Sequence, residues 1–212
     1  MFIYSKNGMH NKQKSIHMRK TKILIIEGPD NCGKDTLIRT IALTKKVIVK
    51  HCSKPAGCDS PEESLRLQKE SFLDLADEII ELYKENDHYD FIIMNRFHYG
   101  EVIYGQMYRN ENPDDIREMI REVDKRLTSN VKQEDIGLVV LTATDPSFLS
   151  ENEDGLSLSN GKQDLIKKEM ATFWDVFHMS LIPNKALIYV DDGKGNWNDP
   201  VTICSKVTRL FN

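Results

Sequence analysis

The run Gly28-Pro29-Asp30-Asn31-Cys32-Gly33-Lys34 has the residue types and spacing needed to hold a chain of phosphates. Its glycines let successive backbone N–H groups turn toward phosphate oxygens, and a helix starting behind Gly33 would present its positive end. Lys34 would neutralise charge on the β- and γ-phosphates. This is Walker A spacing, and it directly follows the apolar run Lys22-Ile23-Leu24-Ile25-Ile26. Strand, loop and helix in that order distinguish a phosphate loop from an ordinary glycine-rich turn. The ligand implied is a nucleoside triphosphate, ATP, with Mg²⁺. Asp35 stands where a Ser or Thr hydroxyl normally reaches the metal, and Thr36 comes one later. A carboxylate can bind Mg²⁺ directly, but it adds negative charge beside phosphates that a metal or cation must offset. Cys32 reads as a small residue filling the tight turn, with a reactive thiol as the alternative.

Such a loop needs a buried parallel sheet behind it. Four more runs are too apolar on both faces for exposed strands: Val47-Ile48-Val49, Asp90-Phe91-Ile92-Ile93-Met94, Leu138-Val139-Val140-Leu141 and Ala186-Leu187-Ile188-Tyr189-Val190. Helical patterns separate them. Ser60-Pro61-Glu62-Glu63 is a capped helix start, followed by the core stripe Leu65, Phe72, Ala76, Ile79 and Tyr83. Asp145-Pro146 and Asn198-Asp199-Pro200 are further capped starts, and Phe173, Trp174 and Phe177 read as core packing. The expected fold is α/β, a three-layer α/β/α arrangement around a central parallel sheet of about five strands. The chain has 212 residues, which suits one domain over 21–212 preceded by a flexible basic arm, 1–20. That arm is expected to be a dispensable leader, or the product of a start codon assigned upstream of Met18, with a nucleic-acid contact as the alternative.

With 40% hydrophobic and 29% charged residues, the chain is of ordinary globular composition. A net charge of −4 offers no general attraction to nucleic acid, so a small-molecule nucleotide is the expected partner. Cys32, Cys52, Cys58 and Cys204 form no Cys-x-x-Cys pair or metal pattern and read as reduced thiols. No run is long enough to cross a membrane and no secretory signal is evident, so a cytoplasmic location is expected.

Several segments together resemble the thymidylate kinase family, especially its divergent phage-encoded deoxynucleoside monophosphate kinase relatives. In that family the loop reads Gly-x-Asp-x-x-Gly-Lys-x-Thr after a strand ending in Glu-Gly, matched here by Glu27, Gly28, Asp30, Gly33, Lys34 and Thr36. Lys54-Pro55-Ala56-Gly57 resembles the family's Glu-Pro-Gly turn beside the acceptor phosphate. Asn95-Arg96-Phe97 is similar to its Asp-Arg-Tyr segment, whose arginine binds that phosphate, and Val190-Asp191-Asp192-Gly193 resembles its turn beside adenine. The resemblance implies a P-loop kinase fold with a short mobile lid around 147–161, and phosphoryl transfer from ATP to a deoxynucleoside monophosphate, dTMP or a related pyrimidine nucleotide. It implies a homodimer as well, which no residue pattern specifies, and the host cytoplasm if the chain is phage-encoded. Lys34, Arg96 and Asn95 would act in catalysis. Gly28 to Thr36 and Asp192 would bind ATP, Asp35 would hold the metal, and Lys54, Pro55, Arg96, Phe97, Glu101 and Tyr104 would bind the acceptor. For Glu101, sugar binding and simple solvation are both open.

Two departures from the family coincide: a hydroxyl has become Asp35 and an aspartate has become Asn95. Since both positions should face one metal, they read as a swap that conserves one carboxylate and one neutral oxygen; the alternative is a degraded site. The lid from Ser147 to Gly161 holds no arginine, leaving Lys162, Lys167, Arg96 and Arg109 as cations for the transferred group. A deoxynucleoside kinase, a kinase of bases within DNA and a nucleotide-binding regulator remain alternatives.

Overall fold

Continuous apolar runs form strands only where both faces are covered, and here they do. The computed structural model describes residues 21–52, 60–85 and 88–211. The strands are β1 (Lys22–Glu27), β2 (Val47–His51), β3 (Phe91–Asn95), β4 (Ile136–Thr142) and β5 (Asn184–Tyr189). They pair in parallel in the order β2-β3-β1-β4-β5. The helices between them are α1 (Lys34–Ala42), α2 (Pro61–Glu85), α3 (Glu101–Arg109), α4 (Pro113–Asn130), α5 (Pro146–Glu151), α6 (Gln163–Met179) and α7 (Pro200–Thr208).

Strand alternation divides the core in two. Ile23, Ile25, Ile92, Met94, Leu138 and Val140 face the layer of α2, α3, α4 and α6, where Phe72, Ile103, Ile120 and Phe173 meet them. Leu24, Ile26, Ile93, Val139 and Leu141 face α1 and α7, represented by Leu37, Ile41, Ile203 and Val207. The result is the expected three-layer α/β/α fold with five parallel strands. Two expectations need correction. Edge strands β2 and β5 are mostly half-buried, because an edge has a sheet neighbour on one side only. Trp174 is 47% exposed on α6, although Phe173 beside it is core.

The helix starts form as their sequences dictate. Ser60 Oγ accepts the Glu63 N–H at 3.1 Å, Asp145 Oδ1 the Ser147 N–H at 2.8 Å, and Asp199 the N–H groups of Val201 and Thr202. A fourth cap, Asn112 ahead of Pro113, opens α4. Among the described residues no helix is long and apolar enough to cross a membrane. The basic arm and the Lys54-Pro55 turn lie outside the described residues.

Candidate active site

Register sets where the site lies. Ile26 is opposite Asn95 and Glu27 is opposite Val140, so the carboxyl ends of β1, β3 and β4 share one edge of the sheet. That edge is where open α/β sheets bind ligands. The phosphate loop leaves β1 there with backbone angles that explain its glycines. Gly28 has φ 142°, and a Cβ on it would lie 2.3 Å from the Leu141 carbonyl oxygen; Gly33, with φ 77°, opens α1. Asn31 also sits at positive φ, 60°, which asparagine tolerates.

Lys34 is 5% exposed and arches back over the loop, donating to the carbonyls of Gly28 at 2.8 Å and Pro29 at 2.6 Å. Cys32 is fully buried against it, and burial pushes its thiol pKa up. The thiol fills the turn as an inert group. Asp35 and Thr36 are exposed on the first turn of α1.

Asn95 ends β3 and is 5% exposed. Its Nδ2 donates to Asp35 Oδ1 at 2.7 Å, while its Oδ1 is buried with no partner among the described residues. The two substituted positions therefore touch. A carboxylate and an amide oxygen are a donor set that suits a hard cation such as Mg²⁺, and in this conformation it is the amide N–H, not the buried Oδ1, that faces Asp35.

Arg96 follows with φ 62°, a left-handed conformation unusual for arginine that costs about 1–2 kcal/mol. Two bonds hold it: the Arg96 N–H donates to Ile26 O at 3.0 Å, and the Phe97 N–H to Glu27 Oε1 at 2.8 Å. The strain turns the guanidinium outward, half exposed, to meet Asp30 at 2.5 Å. Glu27 is 1% exposed, and burial raises its carboxyl pKa despite the Phe97 N–H and the charges of His98, Lys34 and Arg96. It works as a buried strut under the turn.

A cavity of about 500 Å³ joins these parts. Asn31, Cys32, Gly33, Lys34, Asp35 and Thr36 line it with Arg96, and so do the apolar Leu141, Val190, Trp197, Pro200 and Ile203. Asn152 and Asp154 of the expected lid also line it. That segment is α5 followed by turns braced from Ser150 Oγ to Gly161 O at 2.6 Å. None of Arg109, Lys162 and Lys167 lines this cavity.

On the expected acceptor side, Tyr104 and Tyr108 stack with ring centroids 6.1 Å apart. The Tyr104 hydroxyl is buried without a partner among the described residues, and burial pushes its pKa up. Tyr108 donates to Glu169 at 2.8 Å, and burial raises the Glu169 pKa. Phe97 is 3% exposed and packs edge-on against Phe72 at 5.6 Å, so it supports the wall from behind. Glu101 is neither solvated nor free: it pairs with Arg109, which also holds Glu111 at 2.8 Å. This buried network accounts for Arg109 as well. His98 is fully buried on Asp124 at 2.8 Å and packs in the core.

Asp192 does not line the cavity. It is exposed and builds a turn, accepting the N–H groups of Lys194 at 2.8 Å and Asn196 at 3.1 Å. Buried Asp191 anchors that turn by accepting the Thr144 N–H at 2.7 Å. Trp197, which the turn carries into the cavity, had no motif to announce it. Its one signal was an isolated tryptophan in the polar stretch Lys194-Gly195-Asn196-Trp197-Asn198-Asp199.

No sequence-family profile and no curated protein sequence matches the chain. Solved structures do. The YorR protein from Bacillus subtilis, in complex with phosphorylated GDP, is similar with a TM-score of 0.56 and 19% identity over 89% of this chain and 94% of that one. Thymidylate kinase from Ehrlichia chaffeensis is similar with a TM-score of 0.52 and 11% identity over 91% of this chain and 99% of that one. The chain shares the fold of these two proteins. At such identities it is the architecture that is shared.

Proposed function

We propose that the protein is a nucleoside monophosphate kinase that moves the γ-phosphoryl group of ATP to the phosphate of a deoxynucleoside monophosphate, dTMP or a related pyrimidine nucleotide. One observation carries this reading: Lys34 and Arg96, delivered by neighbouring strand ends, line one cavity with the amides of the phosphate loop. An acceptor phosphate oxygen forms the new bond to the γ-phosphorus as the bond to the β-phosphate oxygen breaks in line, and ADP leaves. An acceptor phosphate is its own nucleophile, so no protein base is needed, and positioning with charge stabilisation does the work. Lys34 exchanges its loop carbonyls for donor phosphate oxygens. Arg96 exchanges Asp30 for the acceptor phosphate, which its guanidinium grips as a fork.

Asp35 and Asn95 are the residues that would hold Mg²⁺, directly or through water. When bound, the ion would neutralise charge on the β- and γ-phosphates. Tyr104, Tyr108 and Glu169 would contact the acceptor nucleoside. With Glu101 and Arg109 committed to each other, Arg96 is, among the described residues, the candidate cation for the transferred group that lines the cavity. A deoxynucleoside kinase is disfavoured, because a 5′-hydroxyl needs a carboxylate base where Asn95 stands.

The test is ATP consumption with Mg²⁺ against a panel of deoxynucleoside monophosphates, deoxynucleosides and DNA, with Lys34→Ala as control. The panel includes dGMP, since the YorR structure holds a phosphorylated guanosine nucleotide. Diphosphate formed only from monophosphates, and lost in the control, supports the kinase. ATP binding without turnover on any acceptor would instead favour a nucleotide-binding regulator.

A further inference from the structure

We propose that the outward face of α6 is the seam along which two copies of this chain pair, antiparallel about a two-fold axis at Ala171. A likeness to a family can suggest pairing but names no face, and this inference does not depend on the kinase reading. The helices of the layer differ in how they meet water. Outer charges of α2 and α4 are paired within the chain, Lys69 with Glu122 at 2.7 Å and Arg126 with Asp77 at 3.2 Å. Helix α6 instead exposes Asp164, Lys167, Lys168, Ala171, Trp174, Asp175 and His178. Among the described residues none of Asp164, Lys167, Lys168 and Asp175 makes an ion pair. At about 100° per residue these seven positions all lie within about 60° of the Ala171 direction, so they form one stripe.

The order along that stripe is self-complementary, which becomes visible only when the exposed face is known. If a second α6 is turned over about Ala171, each position meets the one equally far on the other side. Asp164 and His178 are each seven residues from Ala171, Lys167 and Asp175 four, and Lys168 and Trp174 three. Asp164 then faces His178 of the partner subunit, Lys167 faces the partner's Asp175, and Lys168 reaches the indole of the partner's Trp174. Each contact is made twice, as an isologous interface requires. No charge in the stripe directly faces its own sign. Opposite charges and a cation over a tryptophan face both attract, and the small Ala171 side chain lets the two helix axes approach at the centre. Trp174 supplies the apolar part: it is 47% exposed and touches His178 edge-on at 5.0 Å, and Leu181, 46% exposed, extends the surface just beyond α6. The stripe is about 21 Å long. One helix pair of that length falls short of the roughly 800 Å² per partner of a standard interface, so the dimer should come apart in the micromolar range.

The competing account is that Trp174 is one of the scattered apolar residues every surface carries. That account requires no mirror order in the charges. Sedimentation velocity of the full chain across the micromolar range separates the two, and wild type should pass from monomer to dimer. Trp174→Ser should raise the dissociation constant about thirtyfold, the scale of a lost tryptophan hot spot. Lys167→Asp sets like charges against each other twice and should weaken pairing about tenfold, whereas Lys167→Asp with Asp175→Lys restores opposite charges and should recover it. Under copper–phenanthroline oxidation, Ala171→Cys should link to itself across the two-fold axis, and Asp164→Cys should link only when mixed with His178→Cys. A monomer at every concentration overturns the proposal and leaves the face to a different protein. A dimer that Trp174→Ser leaves intact, or one that the exchanged charges do not recover, puts the contact elsewhere and overturns it too. The kinase reading stands or falls separately, on turnover.

Discussion

Replacing Asn95 by Asp puts the idea of an exchanged metal site under direct load. The substitution removes the Nδ2–H that donates to Asp35 at 2.7 Å and sets a second carboxylate in its place. A hydrogen bond to a charged group contributes about 1.5–3 kcal/mol, less at an exposed partner such as Asp35. Two carboxylates about 4 Å apart repel by ~1 kcal/mol in water and ~4 kcal/mol at an effective dielectric of about 20. With one partner exposed and the other buried, the total loss without metal should be about 2–4 kcal/mol. Asn95→Ala, which loses the bond but gains no charge, should lose about half of that. Urea unfolding with ADP present, in EDTA and in millimolar MgCl₂, measures both variants. Mg²⁺ should close most of the gap between them, since it binds the folded protein and neutralises the added charge. Asp35→Thr should weaken Mn²⁺ binding, read by electron paramagnetic resonance, and slow turnover, and Asp35→Thr with Asn95→Asp should recover both. A gap that Mg²⁺ leaves unchanged, or an Asp35→Thr enzyme with full metal affinity, refutes the claim that these two positions share one ion.

Three further outcomes are expected. Gly28→Ala, whose Cβ would meet the Leu141 carbonyl at 2.3 Å in a backbone conformation at φ 142°, should cost about 2–3 kcal/mol in thermal unfolding and abolish ATP binding. Arg109→Ala leaves Glu101 and Glu111 buried without their cation and should cost about 3–5 kcal/mol in urea, whereas a purely catalytic arginine would leave stability untouched. Burial holds the Glu27 pKa above its ordinary 4.5, so the native state binds the extra proton and wild-type stability falls as pH rises from 4.5 through the native value. Glu27→Gln, which can still accept the Phe97 N–H, should lack that fall, and its stability advantage in urea should grow with pH and then level off.

The division between what could and could not be read from the chain follows from how far apart the interacting residues lie. The five strands and the phosphate loop were legible because each is a local pattern: a buried parallel strand is a continuous apolar run, and a phosphate loop is a short spacing between a strand and a helix. Helix α4 opens on Asn112-Pro113-Asp114-Asp115, a cap signal of the kind read at Ser60, Asp145 and Asp199 but not read at Asn112. Glu101 was undecidable locally, since its partner Arg109 comes two turns later on α3 and is itself paired with Glu111, which accepts from Ser64 on α2. The left-handed turn at Arg96 was equally hidden, because the carbonyl of Ile26 and the carboxylate of Glu27 that hold it arrive from β1.

Asp192 and Trp197 show how the residue that a motif names and the residue that lines the cavity can differ within one turn. A strand-end turn can be recognised by its acidic and glycine residues, but those residues are enriched there because they shape turns, and shaping is what Asp192 does. The residue that such a turn delivers is free to be of another type, and here an indole sits at its far end with its ring facing the cavity. The same logic applies to Asn95 and Asp35, which each look like a loss when compared singly with a pattern. With Asn95 Nδ2 only 2.7 Å from Asp35 Oδ1, the pair would supply, on the proposed exchange, the carboxylate and the neutral oxygen that the pattern calls for. A site like this is under physical constraint on the set of donors at a point in space, which does not fix which strand or helix supplies each one.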